Sequence, residues 1–242
     1  MTRSTGASRS SSPSYLPRPS LARRALAEGL ATFALVFAGC GAIVVNSERG
    51  DSLGATGIAA VFGLVIMVMI YATGHLSGAH INPAVTLAFT AARHFPIREA
   101  AAYIPAQLVG AVAAAGLLDL LWAGTPADLG ATVPSVGSGS ALVYELVMTA
   151  FLMFVITAVA TDTRAVGAAA AIAIGGTVAL DSLFGGGVTG ASMNPARSFG
   201  PALVANVWTD FWVYLIGPVV GALVGVFAYT AARQAEPKLD AG

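Results

Sequence analysis

The stretch His80-Ile81-Asn82-Pro83-Ala84-Val85-Thr86 returns in outline as Ser192-Met193-Asn194-Pro195-Ala196-Arg197-Ser198. Each copy follows a small, turn-prone tripeptide, Ser77-Gly78-Ala79 in the first and Thr189-Gly190-Ala191 in the second. Pro is tolerated at the first helical position because its missing N–H has no intrahelical partner there. Asn directly before it is a preferred N-cap. Each copy therefore reads as a loop that turns into a helix at Pro83 or Pro195. The helices so started, 83–92 and 195–204, are apolar but too short to cross a bilayer, which takes about 20 residues.

The surrounding chain is long enough and apolar enough to cross repeatedly. It has 242 residues, 56% hydrophobic and only 10% charged, with mean hydropathy +0.77. Soluble domains carry about 25% charged residues, so the composition is that of a membrane protein whose partner is the lipid bilayer. The formal net charge is zero, which gives no footprint for nucleic acid. A single cysteine, Cys40, excludes an intrachain disulfide and a cysteine-based zinc site. His75 and His80 flank the first motif with no carboxylate or Cys at ligand spacing, so no metal and no cofactor is expected. Residues 1–20 are rich in Ser, Pro and Arg, lack the apolar core of a signal peptide, and read as a disordered tail. Residues 234–242 read as a second short tail.

Six stretches qualify as spans: 22–45, 54–72, 99–121, 140–160, 166–184 and 208–232. Arg3, Arg9, Arg18, Arg23 and Arg24 precede the first span. Arg93 and Arg98 follow the second, Arg164 the fourth, and Arg233 and Lys238 the sixth. The positive-inside rule places all of these, and both termini, in the cytoplasm.

The spans fall into two sets of three, residues 21–121 and 140–233. Each set is headed by an intramembrane carboxylate, Glu28 or Glu145, and each holds one Asn-Pro-Ala between its second and third span. Three is odd, so the second set is inverted in the membrane. Inverted repeats place a shared site near the bilayer midplane, with half-helix N-termini directed at it. One loop enters from each side, so the two half-helices meet head to head. Irregular backbone at that depth is tolerated only where it is buried or lines a water-filled path. The spacing alone thus predicts an all-α membrane protein with six transmembrane helices, two re-entrant half-helices and a pore.

The meeting point gathers two partial positive charges of about half a unit each. There Asn82 and Asn194 have side-chain N–H groups to offer a passing water while their carbonyls cap the helices. Arg197, three residues beyond Asn194, reads as a fixed cation facing a cavity, since Arg at membrane depth is expensive. An ion pair with Asp181 or Asp210 is the alternative. Glu28 and Glu145 read either as proton carriers or as internal acceptors for loop N–H groups. Their matched repeat position favours the second.

At these residues the chain resembles the major intrinsic proteins, the aquaporin and aquaglyceroporin family. The resemblance rests on Ala27-Glu28-Gly29, on Gly74-His75-Leu76-Ser77-Gly78-Ala79 running into the first motif, on Ala106-Gln107, and on residues 190–201 around the second motif. It covers about 21–233. It implies a homotetramer with one pore per subunit, a multi-pass protein of the plasma or inner membrane. It also implies passive flow of water or small neutral solutes rather than catalysis. In such channels Asn82, Pro83, Ala84, Asn194, Pro195 and Ala196 form the pore motifs. By the same resemblance an outer selectivity filter falls at Phe62, Ser182, Ala191 and Arg197. Phe62 matches water channels, whereas the small Ser182 and Ala191 widen the filter. The resulting expectation is a water channel. A glycerol or metalloid-acid facilitator is the neighbouring alternative, and a transporter using Glu28 and Glu145 is a rival from another class.

Overall fold

The computed structural model describes residues 18–161 and 169–233. The expected tails, apart from residues 18–20, lie outside the described residues. So do Arg164, Lys238 and the first residues of the expected fifth span. The described residues form α1 (Leu21–Glu48), α2 (Gly54–Ser77), α3 (Pro83–Ala91), α4 (Ile97–Leu121), α5 (Ser138–Thr161), α6 (Ala170–Thr189), α7 (Pro195–Ala205) and α8 (Val213–Ala232). All except α3 and α7 are long and apolar enough to span a membrane. The two half-helices have 9 and 11 residues.

Helix ends depart from the hydropathy limits for local reasons. Hydropathy fades after Ala72 and Phe184, yet α2 and α6 run on to Ser77 and Thr189. Both stop at a left-handed glycine cap, Gly78 at φ 93° and Gly190 at φ 83°. Glycine adopts that conformation without a Cβ clash, which is why it closes helices. The sixth span is corrected at its start. Residues 208–212 form turns, with Asp210 at φ 49°, and α8 begins at Val213.

The helices pair as two matching triplets. α1 packs along α4 and α5 along α8, while α2 and α6 join the triplets. Small residues let these backbones meet. A Cβ built on Gly110 of α4 would land on the Gly29 carbonyl of α1, and one on Gly221 of α8 on the Leu146 carbonyl of α5. Across the join, a Cβ on Gly63 would come within 2.6 Å of the Gly175 carbonyl. In lipid there is no hydrophobic force between helices, so such close packing supplies the attraction. Gly221→Leu is therefore expected to cost roughly 1–3 kcal/mol by overpacking. Heating in detergent followed by size-exclusion chromatography should show a lower aggregation temperature than for wild type.

Candidate functional site

The two loops between spans and half-helices carry left-handed backbone at matching positions and reach extended backbone at Asn82 and Asn194. Ala79 (φ 49°) and Ile81 (φ 55°) are matched by Ala191 (φ 43°) and Met193 (φ 52°). A non-glycine residue in that region costs about 1–3 kcal/mol and persists only when its surroundings over-determine it. Here the determinants are two buried carboxylates.

Glu28 Oε1 accepts from the Ser77 hydroxyl at 2.7 Å and the His80 N–H at 2.9 Å. Its Oε2 accepts from the Ile81 N–H at 2.6 Å and Gln107 Nε2 at 3.0 Å. Glu145 repeats the pattern: Oε1 accepts from the Thr189 hydroxyl at 2.7 Å and the Ser192 N–H at 2.9 Å, and Oε2 from the Met193 N–H at 2.8 Å. Both side chains are fully buried. The Tyr103 hydroxyl donates to the Ser77 carbonyl and the Tyr214 hydroxyl to the Thr189 carbonyl, each at 2.7 Å. The second clamp lacks a counterpart of Gln107, because Pro218 stands near that place in α8.

With the loops so held, Asn82 and Asn194 cap their half-helices. Asn82 Oδ1 accepts from the Ala84 N–H at 2.8 Å, and Asn194 Oδ1 from the Ala196 N–H at 3.0 Å. Their amide groups then cross between loops. Asn82 Nδ2 donates to the Met193 carbonyl at 2.7 Å, and Asn194 Nδ2 to the Ile81 carbonyl at 2.9 Å. Each amide thus spends one N–H on joining the loops and keeps one more. Both Asn side chains line a cavity between the triplets.

Arg197 lies in the first turn of α7 and is 2% exposed. Its Nη1 donates to the Gly130 carbonyl at 2.6 Å, and its guanidinium lies 5.0 Å from the centre of the Phe62 ring. Its Nε has no hydrogen-bond partner among the described residues. Neither Asp181 nor Asp210 is paired with it among those residues. Behind the loop, Ser198 Oγ joins Thr132 at 2.7 Å and Ser192 at 2.6 Å, which ties the connector between α4 and α5 to the second loop.

The cavity runs from Arg197, Phe62 and Ala191 past the two Asn to Phe89 and Ala160. One side is backbone of the two loops, at 78–82 and 191–194, and the rest is apolar, from residues such as Ile66, Val85 and Ile156. On α6 the lining residues are Ile174 and Val178. Ser182 is the next residue at that four-residue spacing, one turn nearer the second loop, and is not among them. His80 lines the cavity and its ring packs against Phe95 at 4.5 Å between centres, whereas His75 is outside it. No group of three or more metal-ligating side chains is present among the described residues.

Tyr103, Tyr214 and the Thr132–Ser198 link were not singled out from the sequence, and Gln107 only as part of the resemblance. A signal was available. Asn82 and Asn194 are 112 positions apart, and the same offset joins Ser77 to Thr189 and Thr86 to Ser198. Tyr103 and Tyr214 differ by 111.

Six spans closed around two half-helices, with a lumen at their joint, define a membrane channel. The family model described as Major intrinsic protein matches residues 16–229, and the chain belongs to that family. Aquaporin NIP1-1 of Zea mays is 49% identical over 211 residues, 87% of this chain and 75% of the relative. Nodulin-26 of Glycine max is 48% identical over 218 residues, 90% and 80% of the two chains. The X-ray structure of the aquaglyceroporin from Plasmodium falciparum superposes with TM-score 0.77 at 28% identity, covering 87% of this chain and 96% of that one. Members of the family are channels for water and small neutral solutes, not enzymes, and this chain is a multi-pass membrane channel of that kind.

Proposed function

We propose that the channel passes water in single file, with the outer filter formed by Phe62, Ser182, Ala191 and Arg197. Asn82 and Asn194 act as the central donors, with Pro83, Ala84, Pro195 and Ala196 setting the half-helices. Glu28 and Glu145 serve as loop supports rather than as proton carriers. The observation that carries this reading is the stacking of Arg197 on the Phe62 ring at 5.0 Å beside the cavity. It sets a charged donor against an aromatic wall where a solute must shed its shell. The fixed cation and the two half-helix N-termini oppose cations and migrating protons.

The sites divide over two inverted repeats, 21–121 and 140–233, within a homotetramer of the plasma or inner membrane. Both termini are cytoplasmic, in keeping with the excess of Arg on that side, against Arg49 alone in the opposite loops apart from Arg197 of the second motif. A facilitator of glycerol or metalloid acids on the same scaffold is the second reading. The small side chains of Ser182 and Ala191 favour it.

Stopped-flow light scattering on proteoliposomes separates the two. With an impermeant osmolyte fast shrinkage is expected, and with glycerol only slow re-swelling. Fast glycerol re-swelling would transfer the function to the facilitator reading. Ser182→His is expected to leave water flow within severalfold and to reduce any glycerol flow further. Unchanged glycerol flow in that variant would remove Ser182 from the filter.

A further inference from the structure

Gly39 lies buried in α1, one turn beyond Leu35, which lines the cavity. A Cβ built there would overlap Cε1 of the Phe62 ring and stand 2.6 Å from its Cδ1 and Cζ. The three nearest atoms thus belong to one aromatic ring. Other crowded glycines differ. At Gly110, Gly200 and Gly221 the nearest atom is a backbone carbonyl oxygen of a neighbouring helix, so those glycines set how closely helices approach. At Gly39 the missing side chain is instead room for a ring.

That ring is 6% exposed, and its open side is the cavity, which it lines together with Arg197. The guanidinium lies 5.0 Å from the ring centre. Arg197 is also held by the Gly130 carbonyl, and Gly130 is pressed against α1 in its turn. A Cβ on Gly130 would come within 2.9 Å of the Cβ and 3.0 Å of the Cα of Cys40. Two consecutive residues of α1 therefore back the two groups that meet Arg197, Gly39 behind the ring and Cys40 behind the carbonyl.

Resting on the filter assignment of Phe62 and Arg197, we propose that Gly39 is a specificity-determining positioning residue. Having no side chain, it lets the Phe62 ring lie back against α1, and so sets the width of the outer constriction. Carbon atoms pack at about 3.5–4.0 Å, so a methyl group at Gly39 would drive the ring away by about 1 Å. The ring is the far end of a rotatable side chain, and the space it moves into is the lumen. Arg197, held to Gly130, does not make way. Alanine suits a helix better than glycine, so the fold is expected to hold.

The test measures water and glycerol permeability of proteoliposomes, each per folded channel, for wild type, Gly39→Ala, Phe62→Val and the double variant. Valine lacks Cδ1, Cε1 and Cζ, the atoms that the new methyl group would meet. Gly39→Ala is expected to fold in wild-type yield, to lose water flow severalfold and to lose any glycerol flow more steeply. In the Phe62→Val background the same change is expected to alter flow by less than about twofold, since residues in contact are not additive and a general packing defect would be. An equal fall in both backgrounds would overturn the proposal, as would a Gly39→Ala channel with wild-type flow. Should Gly39→Ala fail to fold, the double variant decides. It is expected to fold with the flow of Phe62→Val, and its failure to do so would also overturn the proposal. Phe62→Val alone tells the two readings apart. If it changes flow and Gly39→Ala does not, only the role of Gly39 falls. If it leaves both flows as in wild type, the filter assignment of Phe62 falls and takes Gly39 with it.

Discussion

Glu28→Ala is expected to leave almost no folded channel. The change removes the acceptor for the Ser77 hydroxyl, the His80 and Ile81 N–H groups and Gln107 Nε2 together. The Ser77 hydroxyl can turn to the Thr73 carbonyl, but a buried donor left unsatisfied costs about 1–3 kcal/mol, so the other three approach the whole stability of a domain, roughly 5–15 kcal/mol. The left-handed Ala79 and Ile81 also lose what holds them, and Asn82 then loses its place beside Met193. Glu28→Gln is not expected to rescue. Its Oε1 can accept from Ser77 and His80, but its NH₂ then faces the Ile81 N–H, donor against donor. Glu145→Ala should be comparably severe, because three donors depend on it. Fluorescence-detected size exclusion measures folded yield. A Glu28→Ala channel obtained in normal yield, with wild-type water flow, would rule out the support role and revive the carrier reading.

Arg197→Val should convert a water channel into a leaky one. A fixed unit charge about 4 Å from a passing ion contributes roughly 4 kcal/mol at an effective dielectric constant near 20. Each 1.36 kcal/mol is a factor of ten in rate, so cation or proton leak should rise by about two to three orders of magnitude. The half-helix N-termini remain, at up to about 2 kcal/mol each in buried geometry, and they keep the leak from being complete. Arg197→Lys retains the charge but not the planar fork that reaches Gly130 and stacks on Phe62. It should therefore keep ions out while altering the solute preference. The measurement is dye-reported proton flux in potassium-clamped vesicles beside water flux from the same preparation. An Arg197→Val channel as proton-tight as wild type would place the barrier at the half-helices alone.

Much of the architecture is legible in the chain because membrane segments obey local rules. Twenty apolar residues must form a helix where no water satisfies the backbone. Asn before Pro favours a helix start, as N-cap and first helical residue. A helix that short, at that depth, must be re-entrant. Two copies in sets of three spans then leave an inverted pair as the arrangement that brings both to one place. The helix limits were less legible. Hydropathy does not register that Gly74–Ser77 and Gly185–Thr189 stay helical until a left-handed glycine stops them.

The sequence by itself determined the span count, the two helix starts and the identity of the buried carboxylates, since each depends on residues near in the chain or on a repeat that can be counted. Only the tertiary structure decided who partners whom. It gave the crossing of each Asn amide to the opposite loop, over 111 and 113 positions. It gave Arg197 a carbonyl, Gly130, in place of Asp181 or Asp210. It also left both Asp181 carboxyl oxygens without a hydrogen-bond partner among the described residues. Such contacts depend on the angle at which one helix meets another, set by small residues such as Gly63, Gly175 and Gly221 pressing on distant backbone. A hydrogen bond is made or lost over a few tenths of an ångström, and no spacing along the chain fixes distances that finely.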